Sequence, residues 1–140
     1  PQHVANARTV AAFLRDREEV AWVSYADLPD SPERALAARY LPLGAGSVFT
    51  FGLRGGREAG RAFIEGLELW SHLANLGDAK SLVIHPASTT HKQLSDDEMR
   101  RAGIGPETVC LSVGLEDVDD LIWDLEHGLA AARKATAVRA

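Results

Sequence analysis

The chain has 140 residues, of which 46% are apolar and 25% charged, and its 15 basic against 20 acidic side chains give a formal net charge of −5. This composition is typical of one globular domain and excludes an intrinsically disordered chain. The excess of acid, with no basic block beyond the thin tail "ARKATAVRA", argues against a nucleic-acid partner.

The single cysteine, Cys110, leaves no internal disulfide and fits a reducing compartment. No apolar run approaches the roughly 18 residues of a transmembrane helix, and the N-terminus lacks the basic-then-apolar order of a signal peptide. We therefore expect a soluble protein of the cytoplasm with no membrane partner. The chain begins "PQHVANARTV", without methionine, which suggests a piece of something longer.

The first half of the chain predicts two helices and two strands. Apolar residues spaced three and four apart from Val4 to Leu14 indicate an amphipathic helix. "VAWVSY", residues 20–25, is short and rich in β-branched and aromatic residues, which indicates a strand. Ser31 followed by Pro32 is typical of a helix start, here a short helix through Tyr40. Alternation in "SVFTFGL", residues 47–53, predicts the second strand.

The second half predicts three helices and two strands. The longest amphipathic helix is expected to start at Glu58 and to end at "NLGD", with the apolar positions Ala59, Phe63, Leu67, Trp70 and Ala74 on one face. "SLVIHP", residues 81–86, is the third strand. Ser95 and Glu98 form a capping box for a short helix that Gly103 closes. "TVCLSV", residues 108–113, is the fourth strand, and "LEDVDDLIWDLEHGLAAA" forms the last helix.

Four short strands that alternate with helices predict a two-layer α/β domain, in which helices pack on one sheet. The pattern alone leaves the strand directions open. Long crossover helices would permit parallel neighbours, and a split, mostly antiparallel sheet of the ferredoxin-like kind fits equally well.

Several residue clusters could be mistaken for sites. His85, His91 and Cys110, with Asp96 and Asp97 nearby, match no metal-ligand spacing, so we predict no metal site. Cys110 lies in an apolar strand, where burial keeps a thiol protonated and a poor nucleophile. The glycine-rich "GLRGGREAG" fits a strand-to-helix turn better than a phosphate loop, and the acids that open the last helix fit its dipole. Only the hydroxyls of "HPASTTH" could donate to an anion from a loop.

Two long strings carry a family resemblance. "NLGDAKSLVIHPASTTHKQLS", residues 75–95, and "GIGPETVCLSVGLEDVDDLIWDLEHGL", residues 103–129, strongly resemble the C-terminal domain of the pyridoxal 5'-phosphate (PLP) enzymes of cysteine and methionine metabolism, the cystathionine γ-synthase-like family. "HVANARTVAAFL" and "YLPLGAGSVFTFGLRGG" extend the resemblance upstream. It implies that residues 1–140 are one C-terminal, substrate-side domain of a fold-type-I enzyme, with a mostly antiparallel sheet, helices on one face, and the large PLP domain absent.

The resemblance also implies site residues. Ser81 matches a serine that helps to hold the substrate carboxylate, and Thr90 matches a threonine of the loop at the substrate entrance. The family's "RLSVG" reads "CLSVG" here, so Cys110 stands where the arginine that clamps the carboxylate is expected. A thiol lacks the charge and the planar fork of donors of arginine. Carboxylate binding is then weakened, or taken over by another group such as Arg54 or Arg57, unless Cys110 is merely a harmless strand residue.

The remaining implied roles are structural. The histidines, His85 and His91, are expected to shape the loop that presents Thr90, and neither is expected to act on a proton or a metal. The family's Schiff-base lysine lies in an S-x-T-K motif of the large domain. Lys80, Lys92 and Lys134 lie in no such motif, so we predict no catalytic residue in this piece and no covalent PLP on it.

The resemblance implies that the full-length protein is a PLP-dependent transferase of methionine biosynthesis, which makes homocysteine from O-acetylhomoserine and sulfide by γ-replacement. Its partners would be the amino-acid substrate, the missing PLP domain and further copies of itself in a tetramer, and this piece alone would be inactive. Cystathionine γ-synthase, cystathionine lyase and methionine γ-lyase activities are alternatives within the family. A non-catalytic binding or assembly module is the alternative from another class.

Overall fold

The computed structural model describes residues 1–137, which form five α-helices, five β-strands and a 3₁₀ turn. The helices are α1 (Gln2–Arg15), α2 (Arg34–Tyr40), α3 (Gly56–Glu65), α4 (Asp96–Arg101) and α5 (Val118–Ala137). The strands are β1 (Val20–Ser24), β2 (Val48–Leu53), β3 (Ser71–His72), β4 (Leu82–Ile84) and β5 (Thr108–Ser112), and the 3₁₀ turn is Pro86–Ser88. All four predicted strands are among them.

The strands form one mixed sheet in the order β1-β2-β5-β4-β3. The pairs β1–β2, β2–β5 and β5–β4 are antiparallel, and only β3 runs parallel to its neighbour β4. The register places Thr50 of β2 opposite Cys110 of β5, and Cys110 opposite Ile84 of β4. The mostly antiparallel sheet is therefore confirmed. It has one strand more than predicted, because two-residue β3 is too short to show a strand pattern in the sequence.

The hydrophobic core lies between the sheet and the helices α1, α3 and α5. Phe51 of β2 meets Phe63 of α3 edge to face, with ring centroids 5.6 Å apart, an arrangement that aromatic pairs favour. Gly128 lets α5 approach α3 closely, since a Cβ there would touch the Phe63 ring at 2.8 Å. Helix α5 faces the core with an apolar stripe in which Leu121, Leu125 and Leu129 are buried.

The helix predicted to run from Glu58 to the "NLGD" turn is wrong at its C-terminal end. Helix α3 ends at Glu65, and Trp70 lies in a bend that leads into β3. The buried carboxylate of Asp124 on α5 accepts hydrogen bonds from the backbone N–H groups of Glu68, Leu69 and Trp70. Those N–H groups are then not available to a continuing helix. The longest helix among the described residues is α5, with 20 residues.

The two helices whose starts the sequence predicts from capping residues, α2 and α4, differ in how they begin. The capping box is confirmed, because the Ser95 hydroxyl accepts from the Glu98 N–H while the Glu98 carboxylate accepts from the Ser95 N–H. Gly103 follows α4 with a φ of +80°, as its capping role requires. The predicted start of α2, with Ser31 as the cap and Pro32 as the first helical residue, is wrong by two residues. Helix α2 begins at Arg34, and the Ser31 hydroxyl accepts from the Glu33 N–H in the preceding turn.

Within residues 1–137, no helix combines the length and the apolar character that crossing a membrane would require.

Candidate functional site

One face of the sheet points away from α1, α3 and α5. We call it the open face, and it consists of the strand residues that alternate with the core residues: Trp22, Ser24, Val48, Thr50, Gly52, Leu82, Ile84, Thr108, Cys110 and Ser112. No residue of this set carries a charge. A solvated sheet face usually shows polar and charged side chains, so the open face has the composition of a surface that is buried against something else.

Trp22 is the largest side chain on the open face, and 37% of it is exposed. Its indole lies over Gly52 on the neighbouring strand, where a Cβ would collide with the ring. Glycine is therefore required at position 52 for this packing. The flat indole makes the β1–β2 side of the open face smooth and apolar.

A cavity of about 400 Å³ lies on the other side of the open face, next to β4 and β5. We call it the Cys110 cavity. It is lined by Leu73, Ala74, Asn75, Leu76, Leu82, Val83, Ile84, Cys110 and Ser112. The segment that follows β3 crosses this part of the sheet, held by a hydrogen bond of 3.0 Å from the Gly77 N–H to the Ser112 hydroxyl. The Cys110 thiol is half-buried in the cavity, and burial raises its pKa. The thiol therefore stays neutral near pH 7 and is a poor nucleophile, as the sequence predicted.

Asn75 is a site residue that the sequence analysis missed. It lies exposed on the rim of the Cys110 cavity, and its side-chain amide makes no hydrogen bond within residues 1–137. An amide offers both donors and an acceptor to a ligand. In the sequence, Asn75 is the first residue of the "NLGD" turn, and this turn predicts only the end of a helix.

Ser81 lies immediately before β4 and is fully buried. Its hydroxyl donates to the Glu116 carboxylate at 2.8 Å and accepts from the Gly114 N–H at 2.8 Å, while its own N–H donates to Glu116 at 2.7 Å. Ser81 thus fastens the turn after β5 to the start of β4. Its hydroxyl faces this turn and not the Cys110 cavity, so its role toward a substrate carboxylate stays a prediction.

His85 directly follows β4 and lies completely buried. Its Nε2 faces the Pro106 carbonyl oxygen at 2.8 Å, so this nitrogen carries the proton, and its Nδ1 lies 3.0 Å from the Ser88 hydroxyl. Burial lowers the pKa of His85 and the nearby Arg57 lowers it further, against the effect of the Pro106 carbonyl. These two contacts hold the ring of His85 at the base of the loop that carries Thr90, and its role in shaping that loop stays a prediction.

Thr90 lies on the loop between the 3₁₀ turn and α4. It is exposed, and its hydroxyl lies 2.9 Å from Nδ1 of His91. The hydroxyls of Ser88 and Thr89 turn inward to the His85 carbonyl, at 3.2 and 2.9 Å. Of these three consecutive hydroxyls, only that of Thr90 is turned outward.

The two arginines considered as replacements for a carboxylate clamp lie elsewhere. Arg54 donates to the Glu18 carbonyl at 2.9 Å, and Arg57 donates to Asp96 and to carbonyls of the loop before α4. Neither lines the Cys110 cavity. The suggestion that Arg54 or Arg57 takes over from Cys110 is therefore not supported by the position of either side chain.

The residues of the Cys110 cavity do not fit PLP. A Schiff base with the cofactor needs a lysine amine, and Lys80, Lys92 and Lys134 are all exposed and lie outside the cavity lining. The lining also lacks a cation for the cofactor phosphate. Within residues 1–137, no three histidine, cysteine or acidic side chains come close enough together to hold a metal ion.

Comparison with known proteins extends this description. The sequence model of a family described as Cys/Met metabolism PLP-dependent enzyme matches residues 1–130. The chain is 51% identical over 129 residues to O-acetyl-L-homoserine sulfhydrylase 1 of Thermus thermophilus, a match that covers 92% of this chain and 31% of the relative. It is 48% identical over 130 residues to O-acetyl-L-homoserine sulfhydrylase of Corynebacterium glutamicum, with 93% and 30% covered.

A solved structure shares the fold. It is a putative O-acetylhomoserine (thiol)-lyase from Campylobacter jejuni with N'-pyridoxyl-lysine-5'-monophosphate at position 205, and the chain is similar to it with a TM-score of 0.83 and 40% identity. The match covers 92% of this chain and 31% of the other. The chain thus spans less than a third of the length of these relatives.

Proposed function

The chain belongs to the family of Cys/Met metabolism PLP-dependent enzymes, and from this premise we propose that it is the C-terminal, substrate-side domain of an O-acetylhomoserine sulfhydrylase. The full-length enzyme converts O-acetylhomoserine and sulfide to homocysteine and acetate. PLP, when bound, supplies the electron sink for this γ-replacement. The single cysteine of the chain is consistent with work in a reducing compartment such as the cytoplasm.

The observation that carries the proposal is the uncharged open face with the Cys110 cavity in it. Its exposed apolar side chains, together with those of the segment that crosses it, include Trp22, Val48, Leu73 and Leu76, exposed by 37%, 38%, 53% and 65%. Covering such a surface gains free energy from the burial of apolar area. Since the chain spans only 31% of the Thermus relative, we assign the missing PLP domain to this face. Substrate would then bind in the cavity between the two domains, a common place for ligand sites.

The side chains of the cavity would orient the substrate. Cys110 occupies the position of the expected carboxylate clamp, and its neutral thiol supplies at most a weak donor there. The Asn75 amide on the same rim is the better donor. Thr90 would reach the substrate from the loop that follows β4, and Ser81 would act only through the turn that it fastens. We further propose that the full-length enzyme is a homotetramer.

A second function is favoured by the same cavity. Without a lysine or any cation in its lining, the chain could serve as a non-catalytic binding or assembly module. In that case the full-length protein would bind PLP weakly or not at all.

The test is an assay of the full-length protein that carries this chain, purified with PLP. We expect homocysteine from O-acetylhomoserine and sulfide, and no turnover by residues 1–140 alone. Incubation with cysteine in place of sulfide tests cystathionine γ-synthase activity, cystathionine tests lyase activity, and methionine tests γ-lyase activity. Faster turnover in one of these three assays would assign the chain to that family member. A full-length protein that turns over none of the substrates would support the binding module.

A further inference from the structure

Arg57 stands at the start of α3, directly beside the loop that carries Thr90. Its guanidinium donates from Nε and Nη2 to one oxygen of Asp96, at 3.0 and 2.7 Å. Nη2 also donates to the Leu94 carbonyl at 3.1 Å and Nη1 to the Ala87 carbonyl. The Arg57 side chain thus binds three acceptors, which lie between the 3₁₀ turn and the start of α4.

These acceptors lie at the two ends of one short segment. Ala87 precedes residues 88–93 and Leu94 follows them, so the guanidinium closes this segment into a ring. We call residues 88–93 the hydroxyl loop. Exposed ion pairs contribute little by themselves, and here the Arg57 side chain is 29% and the Asp96 side chain 48% exposed. The hold on the hydroxyl loop comes mainly from the two carbonyls, because a planar fork of donors can reach both at once.

The same helix also fixes the base of the loop. One turn after Arg57, Gly60 lies against the buried ring of His85, where a Cβ would collide with the imidazole. The His85 carbonyl in turn accepts from the hydroxyls of Ser88 and Thr89. Helix α3 therefore sets both where the hydroxyl loop starts and where it closes, and leaves the Thr90 hydroxyl pointing outward.

We propose that Arg57 is a positioning residue of the enzyme: it holds the hydroxyl loop in the conformation that presents Thr90 to the substrate. The proposal rests on the proposed function, because the full-length enzyme supplies the substrate that Thr90 meets. Lysine could keep the charge at position 57 but could not bridge Asp96, Leu94 and Ala87 together, since its ammonium is a point donor on a flexible stem.

The test uses Arg57→Lys and Arg57→Met in the full-length enzyme, with Arg61→Met as the matched control. Arg61 lies on the same helix, and among the described residues 1–137 its side chain pairs only with the exposed Glu65. We expect KM for O-acetylhomoserine to rise about tenfold in both Arg57 variants, with kcat within about twofold and PLP content unchanged. Arg61→Met should match the wild type. A loss of kcat with unchanged KM would indicate a general loss of folded enzyme and would overturn the proposal.

A double-mutant cycle with Thr90→Val asks whether Arg57 acts through Thr90. We expect Arg57→Lys to change KM little once the Thr90 hydroxyl is gone. Fully independent effects of the two substitutions would overturn the positioning role, since they would mean that Arg57 acts by another route.

Amide hydrogen exchange separates this proposal from the proposed function. In full-length Arg57→Met, exchange in residues 88–93 should become faster, while Arg61→Met should leave it unchanged. Unchanged exchange in Arg57→Met would overturn the hold on the loop even if the enzyme is a sulfhydrylase. A wild-type protein without sulfhydrylase activity would overturn the proposed function and the contact of Thr90 with substrate. Hydrogen exchange would still decide whether Arg57 holds the hydroxyl loop.

Discussion

The Asp124 carboxylate on α5 accepts a hydrogen bond of 3.0 Å from the backbone N–H of Trp70, although the two residues lie 54 positions apart in the chain. The same carboxylate accepts from Glu68 and Leu69, both at 2.8 Å, and the Trp70 indole donates to the Leu121 carbonyl one turn earlier on α5. Because Asp124 and Trp70 are both buried, water cannot replace the carboxylate as the acceptor of the Trp70 N–H. The carboxylate thereby shapes the connection between α3 and the edge strand β3.

Replacement of Asp124 should therefore destabilise the domain strongly. We expect Asp124→Ala to lower the free energy of unfolding by about 3–5 kcal/mol, because it leaves the buried Trp70 N–H and two partly buried hydrogen-bond donors without their acceptor. Asp120→Ala, an exposed acid of the same helix, is the control and should change it by less than about 0.5 kcal/mol. Urea unfolding followed by circular dichroism measures both. Equal stability of the two variants would contradict the role of Asp124.

Ser81→Ala separates a structural role from a substrate role. Its hydroxyl is buried between Gly114 and Glu116, so we expect the free energy of unfolding to fall by about 1–3 kcal/mol. If the hydroxyl also orients the substrate carboxylate, kcat/KM of the full-length enzyme should fall about ten- to a hundredfold. Thermal unfolding and steady-state kinetics on one preparation give both values. A less stable variant with normal kcat/KM would remove Ser81 from the site.

His85 should make the stability of the domain depend on pH. Burial lowers its pKa in the folded protein below the ordinary value of 6.5, so the unfolded chain binds a proton more readily than the folded one. The stabilising contribution is complete above about pH 6.5 and is lost as the pH falls toward the folded-state pKa. We expect His85→Gln to flatten the loss of unfolding free energy between about pH 7.5 and 5.5. An unchanged pH slope in His85→Gln would contradict this role of His85.

Cys110→Arg tests the position of the expected carboxylate clamp. The thiol points into the cavity on the open face and away from the helical core, so a longer side chain has room and the variant should fold. In the full-length enzyme we expect kcat/KM for O-acetylhomoserine to rise more than about tenfold, from a charge-assisted bond to the carboxylate. Cys110→Met, which adds length without charge, should bring no gain. The gain should also shrink for a substrate whose carboxylate is amidated.

The isolated chain should fold without binding PLP covalently. Its core is continuous across the sheet and three helices, and its three lysines are exposed and lie outside the cavity. After incubation with PLP and reduction with borohydride, we expect the intact mass of the chain to show no stoichiometric PLP adduct. A specific adduct that survives gel filtration would mean that this chain carries its own cofactor lysine.

Much of the fold could be predicted from the sequence, because the patterns that indicate its strands and helix caps extend over only a few neighbouring residues. The four longer strands are visible in runs of β-branched and aromatic residues, and the capping box of α4 needs only Ser95 and Glu98, three residues apart. The family was visible in two uninterrupted strings. Each of these signals is complete within a few neighbouring residues.

The tertiary structure decided what depends on distant partners. The apolar periodicity continues past Glu65, but α3 ends there, and the N–H groups of the residues that follow bond Asp124, which the packing of α5 brings near. The hydrogen bonds of Ser81 come from Gly114 and Glu116, and those of Arg57 from a loop that starts 30 residues later. Asn75 joins Cys110 at one cavity because the segment after β3 crosses the open face. A buried polar group takes whichever partner the folded chain brings within about 3 Å, and no local pattern encodes that partner.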